Sequence, residues 1–404
     1  MTTMSDPQQG SFRLSMLLND TRYRSYTFQF IALILLIALM SFLGINLVRN
    51  LAEAGLNISY GFLNVPAGYD INQSLIDYNS QSSNLRAAMV GIINTLLVAF
   101  LACVTATILG VIAGVARLSK NWLVSKLMSV YVEIFRNIPV LIWILMIYTL
   151  MTAVLPAPNK FRGDNATSSM LFDAFAFTNR GISIRATGWG PGPMTVAAPR
   201  LLSIIAAIIY RRYAVSLLFR TGKLLPMGWP TVAILLVPTI VMFFIMGSPI
   251  ALDYPELKGF NFRGGLQIGA PLIALWLGLS VCARAVMAED GRAGIQAMSQ
   301  GQTEDASSMG LRPKRVMNLV VLPQALRVII PPLISQYLNI TKNSSLAIAV
   351  GYADITATLG GVTLNQTGRA IECVLLLMLF YLTISLSISA IMNVYNNSVS
   401  LKER

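Results

Sequence analysis

The stretch "TEDASSMGLRPKRVMNLVVLPQA", Thr303 to Ala325, lies between two apolar runs, yet it carries carboxylates, basic groups and a glycine midway. Ser299 and Gln302 just before it fit a capping box, in which the Ser oxygen takes an orphan amide and the Gln reaches back. Thr303 capping a shorter helix fits the same letters. Glu304 and Asp305 are then expected in the first turn, where the positive end of the helix dipole favours them. Gly310 reads as a left-handed stop, Leu311 can fold back onto the helix, and Pro313 blocks continuation. The expected product is a short, deliberately terminated polar helix. A solvated connector is the plain alternative.

The rest of the chain explains why a polar helix there is unusual. Of 404 residues, 55% are hydrophobic and only 12% charged, against roughly a quarter charged in soluble domains. Such a chain belongs in a membrane. Crossing about 30 Å of hydrocarbon takes roughly 20 apolar residues per helix. Eight runs qualify, at approximately 27 to 48, 87 to 116, 127 to 155, 194 to 210, 229 to 247, 266 to 288, 326 to 350 and 371 to 393. The fourth is short and contains Arg200.

Lys and Arg are enriched in loops retained in the cytoplasm. With the N-terminus inside, the cytoplasmic pieces hold most of the 30 basic residues, from Arg13 through Arg117, Lys120, Arg211, Lys223, Arg284, Arg312 and Arg315 to Lys402 and Arg404. Both termini are expected inside. The net charge of +13 is then largely topological bias, and no nucleic-acid partner is indicated. The first 26 residues are polar and the run after them is too long for a signal-peptide core, which predicts a retained signal anchor.

Several chemistries are excluded. The chain has no histidine, the commonest metal ligand and general base. Cys103, Cys282 and Cys373 stand singly in apolar segments, without metal-site or disulfide spacing. No phosphate-binding G-x-x-x-x-G-K-[ST] loop occurs, since Gly222-Lys223 lacks both the upstream glycine and the following hydroxyl residue. Neither a catalytic site, a metal nor a bound cofactor is expected in this chain, and any ATP is hydrolysed elsewhere. Two outside segments, 49 to 86 and 156 to 193, are polar and turn-rich, with "APNKFRGDNATSSM" and "TGWGPGP" in the second.

The spacing Glu304, Ala306, Gly310, then nine residues, then Val320, Leu322, Pro323 resembles the E-A-A-x-x-x-G-x9-I-x-L-P signature of permease subunits of ATP-binding-cassette importers, with Asp305 in place of the usual alanine and Val320 of the usual isoleucine. "YVEIFRNIPVL", Tyr131 to Leu141, resembles the Glu-Arg-Asn-Pro segment of the polar amino-acid permeases. "AEDGRAGIQAMSQGQTEDA", from Ala288, matches their A-E-x-x-R-x-G-I-x-A and G-Q-x-E-x-A pattern, and "KNSSLA", Lys342 to Ala347, their K-x-[ST]-S-L element. The early "GFLNVPAGYDINQSLIDYNS" resembles, more closely still, the large permease subunit of general L-amino-acid uptake systems.

The resemblance implies an all-α type I importer transmembrane domain of about eight helices, a five-helix core plus three extra. The tail, anchor and outside loop occupy 1–86, the first part of the core 87–155, an insertion with two helices 156–265, and the second part 266–404, with the coupling loop at about 289–325. In that family the loop docks on a cytoplasmic ATPase, which assigns Glu304, Ala306, Gly310, Leu322 and Pro323 to coupling. The implied partners are an ATPase dimer carrying ATP and Mg, a second permease chain, identical or a paralogue, a periplasmic amino-acid-binding protein and the inner-membrane bilayer. A secondary ion-coupled transporter or channel is the alternative, for which more midplane carboxylates are expected.

Four sets of residues leave their roles open. Glu133 and Arg136, at i and i+3, share a helix face, as a structural ion pair beside a Pro139 kink or as contacts for a charged substrate group. Lys342, Arg369 and Glu372 raise the same choice. Asn94 and Thr95 open a small-residue face with Gly91, Gly110 and Gly114, suited to close helix packing. Pro331-Pro332 and Asn339 predict a broken or distorted seventh span.

Overall fold

The structure, a computed structural model, describes residues 21–399 apart from 56, 120, 163–167, 173, 185, 188–190, 222–224, 227, 246–251, 254–255 and 259–260. Arg13, Lys120, Gly222, Lys223, Lys402 and Arg404 lie outside the described residues. Residues up to Gly61 form one unit and those from Phe62 a second. The first contains helix α1, Thr21–Glu53, which has exposed apolar side chains along its length.

The second unit is built on α2, Asn84–Arg117; α3, Trp122–Asn137; α4, Val140–Val154; α5, Pro191–Thr221; α6, Gly228–Ile245; α7, Ala270–Gln296; α8, Gln300–Ser308; α9, Leu322–Asn343; and α10, Ala370–Val399. The centre is α7, which packs against α2, α3, α4 and α9. Small residues set that geometry. A Cβ at Gly110 would lie 2.9 Å from Met287 Cβ and one at Gly114 3.1 Å from the Ala288 carbonyl, so the two backbones approach as the small-residue face predicts. Val98, Ala102, Leu275, Leu279 and Met287 fill the seam.

Five helices among the described residues are long and apolar enough to cross a membrane, spanning Tyr23–Glu53, Asn84–Arg117, Ala270–Gln296, Leu319–Val350 and Ala370–Asn396. The expected third span is instead two helices, α3 and α4, bent by 100° at Ile138 and Pro139. Proline lacks the amide and clashes with the preceding turn, and Phe135 stacks on Trp143 across the break at 4.2 Å. Counting that pair as one gives six. The expected fourth and fifth spans are helices too, but α5 carries Arg200, Arg211, Arg212 and Arg220, and the apolar stretch of α6 is short. These two pair with each other. Arg200 Nη1 donates to the Leu235 carbonyl at 2.9 Å and the Tyr210 hydroxyl to the Pro226 carbonyl at 2.8 Å.

The prolines of the seventh span do not break it. Helix α9 runs through Pro331 and Pro332, and the irregular winding lies at its two ends, a π-helical turn at Met317–Val321 and a 3-10 stretch at Ser344–Val350. The turn-rich insertion also carries strands. β1, Phe175–Thr178, β2, Gly181–Ile184, and β3, Leu266–Gly269, form an antiparallel sheet in which Ile182 faces Ile268 and Gly181 faces Gly269. That pairing ties the start of the insertion to the residues that open α7. The loop from Phe62 is held likewise, with Asn84 Nδ2 donating to the Phe62 and Val65 carbonyls at 3.0 and 3.2 Å.

Candidate functional site

The loop after α7 contains the short helix and the left-handed glycine that the sequence predicts, with one correction. Helix α8 starts at Gln300 and Ser299 holds the N-cap conformation, but its hydroxyl makes no capping bond. The early start leaves no acidic residue in the first turn. Glu304 and Asp305 therefore sit a turn later than expected, where the dipole acts on them less. The end matches. Gly310 has φ of +78°, and its amide donates to the Ser307 carbonyl at 2.9 Å.

Two signature residues face inward: Ala306 is buried with Val316 and Val321 beneath Ile295 and Leu311, and half-buried Val320 packs against the same cluster. Glu304, Gly310, Leu322 and Pro323 are exposed. Leu311 does fold back as predicted, and Pro313 opens the next helical turn, Pro313–Val316. Met309 is exposed at 82% of its free surface, and Met317 and Leu319 further along the same segment are exposed as well. The loop is thus fixed from below by Ala306 and offers an apolar, charge-edged upper surface. Gly294, in the preceding motif, packs so closely that a Cβ there would strike Ile329 of α9.

The motif carboxylate Glu289 gathers arginines from two directions. Arg117, at the end of α2, bonds Glu289 Oε2, and Arg292 Nη2 reaches Oε1 at 2.5 Å. Beside them Arg284 donates to the Tyr131 hydroxyl and lies over the Tyr131 ring, 4.6 Å from its centre. Glu133 and Arg136 behave differently. Both are exposed, no ion pair joins them, and Glu133 Oε2 accepts from Asn137 Nδ2 at 3.3 Å. Within the single chain the two stay exposed, in electrostatic reach of Arg117 and Asp290. Lys342 is also exposed. Arg369 does pair, with buried Glu372 at 3.3 Å.

At the opposite end of α2 a buried polar group surrounds the segment after α9. Asn94 donates to the Gln73 and Ala353 carbonyls at 2.9 Å each, and Thr95 Oγ1 accepts from the Ile355 amide at 3.1 Å. Gly91 is crowded by Thr358 and Asp354. Asp354 is fully buried, with Oδ1 accepting from the Ala357 amide at 2.8 Å and Oδ2 without a partner among the described residues. Burial pushes its carboxyl up to about 6, because low dielectric disfavours the charged form. Sequence reasoning passed over this residue. The available signal was that Asp354 is the lone carboxylate between Lys342 and Arg369.

Comparison with known proteins places these features. Residues 200–401 match the family model described as binding-protein-dependent transport system inner membrane component. Over the whole of both chains the protein is 48% identical to the glutamate/glutamine/aspartate/asparagine transport system permease protein BztB of Rhodobacter capsulatus. It is 41% identical to the general L-amino acid transport system permease protein AapQ of Rhizobium johnstonii, covering 98% of this chain and 96% of that one. The glutamate/aspartate import permease protein GltJ of Escherichia coli is 34% identical over 41% of this chain and 67% of its own.

Proposed function

The chain belongs to the inner-membrane permease subunits of amino-acid ATP-binding-cassette importers, and we propose that it forms one half of a translocation path for L-amino acids, driven by ATP bound with Mg on a separate ATPase dimer. A second permease chain supplies the other half, and a periplasmic amino-acid-binding protein delivers the cargo. Both termini lie in the cytoplasm on this reading. Alternating access requires each state to be favoured by a different ligand, ATP on one side and loaded binding protein on the other.

The observation that carries the coupling assignment is the build of the loop. A short helix is pinned by buried Ala306, stopped by left-handed Gly310, and leaves Met309 exposed. A rigid peg with an apolar tip transmits the movement of a partner, whereas a flexible connector dissipates it. Glu304, Gly310, Leu322 and Pro323 border the exposed surface, and Ala306 holds it from within. For Glu133, Arg136 and Lys342 exposure favours contact with a second chain or with cargo in the path.

Gly310→Val tests the coupling assignment. A left-handed β-branched residue costs about 1–2 kcal/mol, and a Cβ there meets nothing within 4 Å in this chain. Membrane insertion and expression are expected near the wild-type level, while uptake falls at least about tenfold and the ATPase no longer co-purifies. Gly228→Ala, helical, equally open and outside the loop, is the control that keeps both. Normal ATPase association and normal uptake in Gly310→Val would reduce the loop to a connector.

A further inference from the structure

The stretch "GFLNVPAGYDINQSLIDYNS" and the insertion meet around a cavity of about 550 Å³ that the coupling mechanism does not use. This volume falls in the ~300–1,000 Å³ range of small-molecule sites. The first segment contributes Asp70, the β1–β2 turn contributes Asn179 and Arg180, and Tyr148 of α4 and Tyr352 complete the lining that matters here. Tyr352 directly precedes the Ala353–Asp354 segment of the buried polar group, and its hydroxyl donates to the Asn94 carbonyl at 3.4 Å.

Three polar groups in this lining have no protein partner among the described residues. Asp70 and Arg180 are exposed and enter no ion pair, and Asn179 Oδ1 is buried without a donor. The backbone that presents them is fixed: Arg180 N donates to Thr178 Oγ1 at 3.3 Å, the Ala270 amide donates to the Arg180 carbonyl at 2.9 Å, and Asn179 N donates to the Pro156 carbonyl at 3.0 Å. A guanidinium and a carboxylate outside any ion pair and an orphan amide oxygen in the lining of one cavity are the complement of a zwitterion.

We infer that this cavity is a binding site for the head group of a free L-α-amino acid, with Arg180 taking the α-carboxylate and Asn179 Oδ1 and Asp70 the α-ammonium. It lies above the buried Asn94 and Asp354, on the side expected to face outward, and is an entry site built by the early loop and the insertion. The inference rests on the importer reading, which supplies an amino acid as cargo. Arginine grips a carboxylate through two parallel bonds and an orphan acceptor selects a donor. The head group is common to all amino acids, so the site selects the class and not the side chain.

The test uses the permease–ATPase complex in lipid nanodiscs without binding protein. Asn72→Cys places a thiol in the same lining, and its alkylation rate by a charged thiol reagent is measured against a concentration series of L-glutamine, N-acetyl-L-glutamine and L-glutaminamide. L-Glutamine is expected to protect, each derivative to need about tenfold higher concentration, and Arg180→Gln in the same background to weaken protection about tenfold. Arg180 is exposed and its backbone bonds survive the change, so the variant retains the fold. No protection by L-glutamine, protection by either derivative as strong as that by L-glutamine, undiminished protection in Arg180→Gln, or protection only on adding binding protein each overturns the inference. Binding-protein-dependent uptake by the wild-type complex in sealed proteoliposomes is followed in parallel. Uptake without protection rejects the entry site alone, while absence of any L-amino-acid uptake rejects the importer reading.

Discussion

Two helices of the core each carry a glutamate and an arginine three residues apart, and only one of them closes the pair. In α7, Glu289 binds Arg292 on its own helix and Arg117 from α2. In α3, Glu133 and Arg136 remain apart, and Glu133 turns to Asn137. Spacing of i and i+3 puts both groups on one face in each case. The difference lies in what that face meets. The α7 end packs on α2, which brings a third charge from another helix onto a partly buried carboxylate, whereas Glu133 and Arg136 lie exposed at the edge of the same cluster, in electrostatic reach of Arg117 and Asp290. Arg369 and Glu372 follow the α7 pattern: the carboxylate is buried and pulls its arginine in. A pair closes where burial makes an unpaired charge expensive.

The largest expected effect tests the closed network. Glu289→Ala leaves Arg117 and Arg292 without their carboxylate. Since the groups are partly exposed, with side chains at 14, 28 and 20%, the loss belongs at the lower end of the range for broken buried pairs, about 3 kcal/mol. A thermal-stability measurement on the purified complex should show a clear drop in melting temperature together with loss of uptake. A melting curve unchanged from wild type would show that the α2–α7 contact stands on the Gly110 and Gly114 packing alone.

How far such contacts are legible depends on the distance over which they act. The core helices, the short helix after α7 and Gly310 could be read because each obeys a local rule: apolar length, or a glycine followed closely by proline. The closed pair of Glu289 was half legible, its i, i+3 arginine being local and Arg117 lying 172 positions away. Ser299 was legible as the N-cap of α8, whereas the first-turn places expected for Glu304 and Asp305 go with the competing cap at Thr303, and backbone geometry chose between the two. The strands of the insertion were missed for the same reason that parallel or distant pairings are slow to form. Ile182 finds Ile268 across an intervening pair of helices, and neither four-residue segment announces itself alone. The sheet turned a segment that reads as turns into a wall of the proposed entry cavity.

Asp354 sharpens the comparison from the other side, as a buried carboxylate with no arginine. Its pKa is raised to about 6 from 3.8, with burial as the main cause. The sign is therefore the reverse of a salt-bridged acid: the folded state prefers the protonated form. Stability is greatest below the unfolded pKa, declines as pH rises from about 4 to about 6, and is level above that. About 1 kcal/mol of the decline falls between pH 5 and pH 7. Melting temperatures of the complex at the two pH values should differ accordingly, and Asp354→Asn should flatten the difference. A slope that survives the substitution would assign the pH response to another group.

The smallest effect is expected where the pair stays open. Glu133→Ala and Arg136→Ala each remove an exposed side chain that closes no ion pair. Each should change stability by no more than about 0.5 kcal/mol, the usual size for a surface substitution, and the double variant should equal the sum of the two. That contrast with Glu289→Ala separates packing from use. If either single variant folds normally yet loses uptake, the open face of α3 meets a second permease chain or the cargo, and comparing uptake of L-glutamate with that of L-glutamine tells which. A contact to cargo charge shifts the ratio between the two amino acids, whereas a contact between chains lowers both alike. If instead the singles destabilise by about 3 kcal/mol and a charge-reversing double swap restores the fold, the two groups pair in the assembled complex. Closure in α3 would then need the same ingredient as in α7, a neighbouring helix supplied here by another chain.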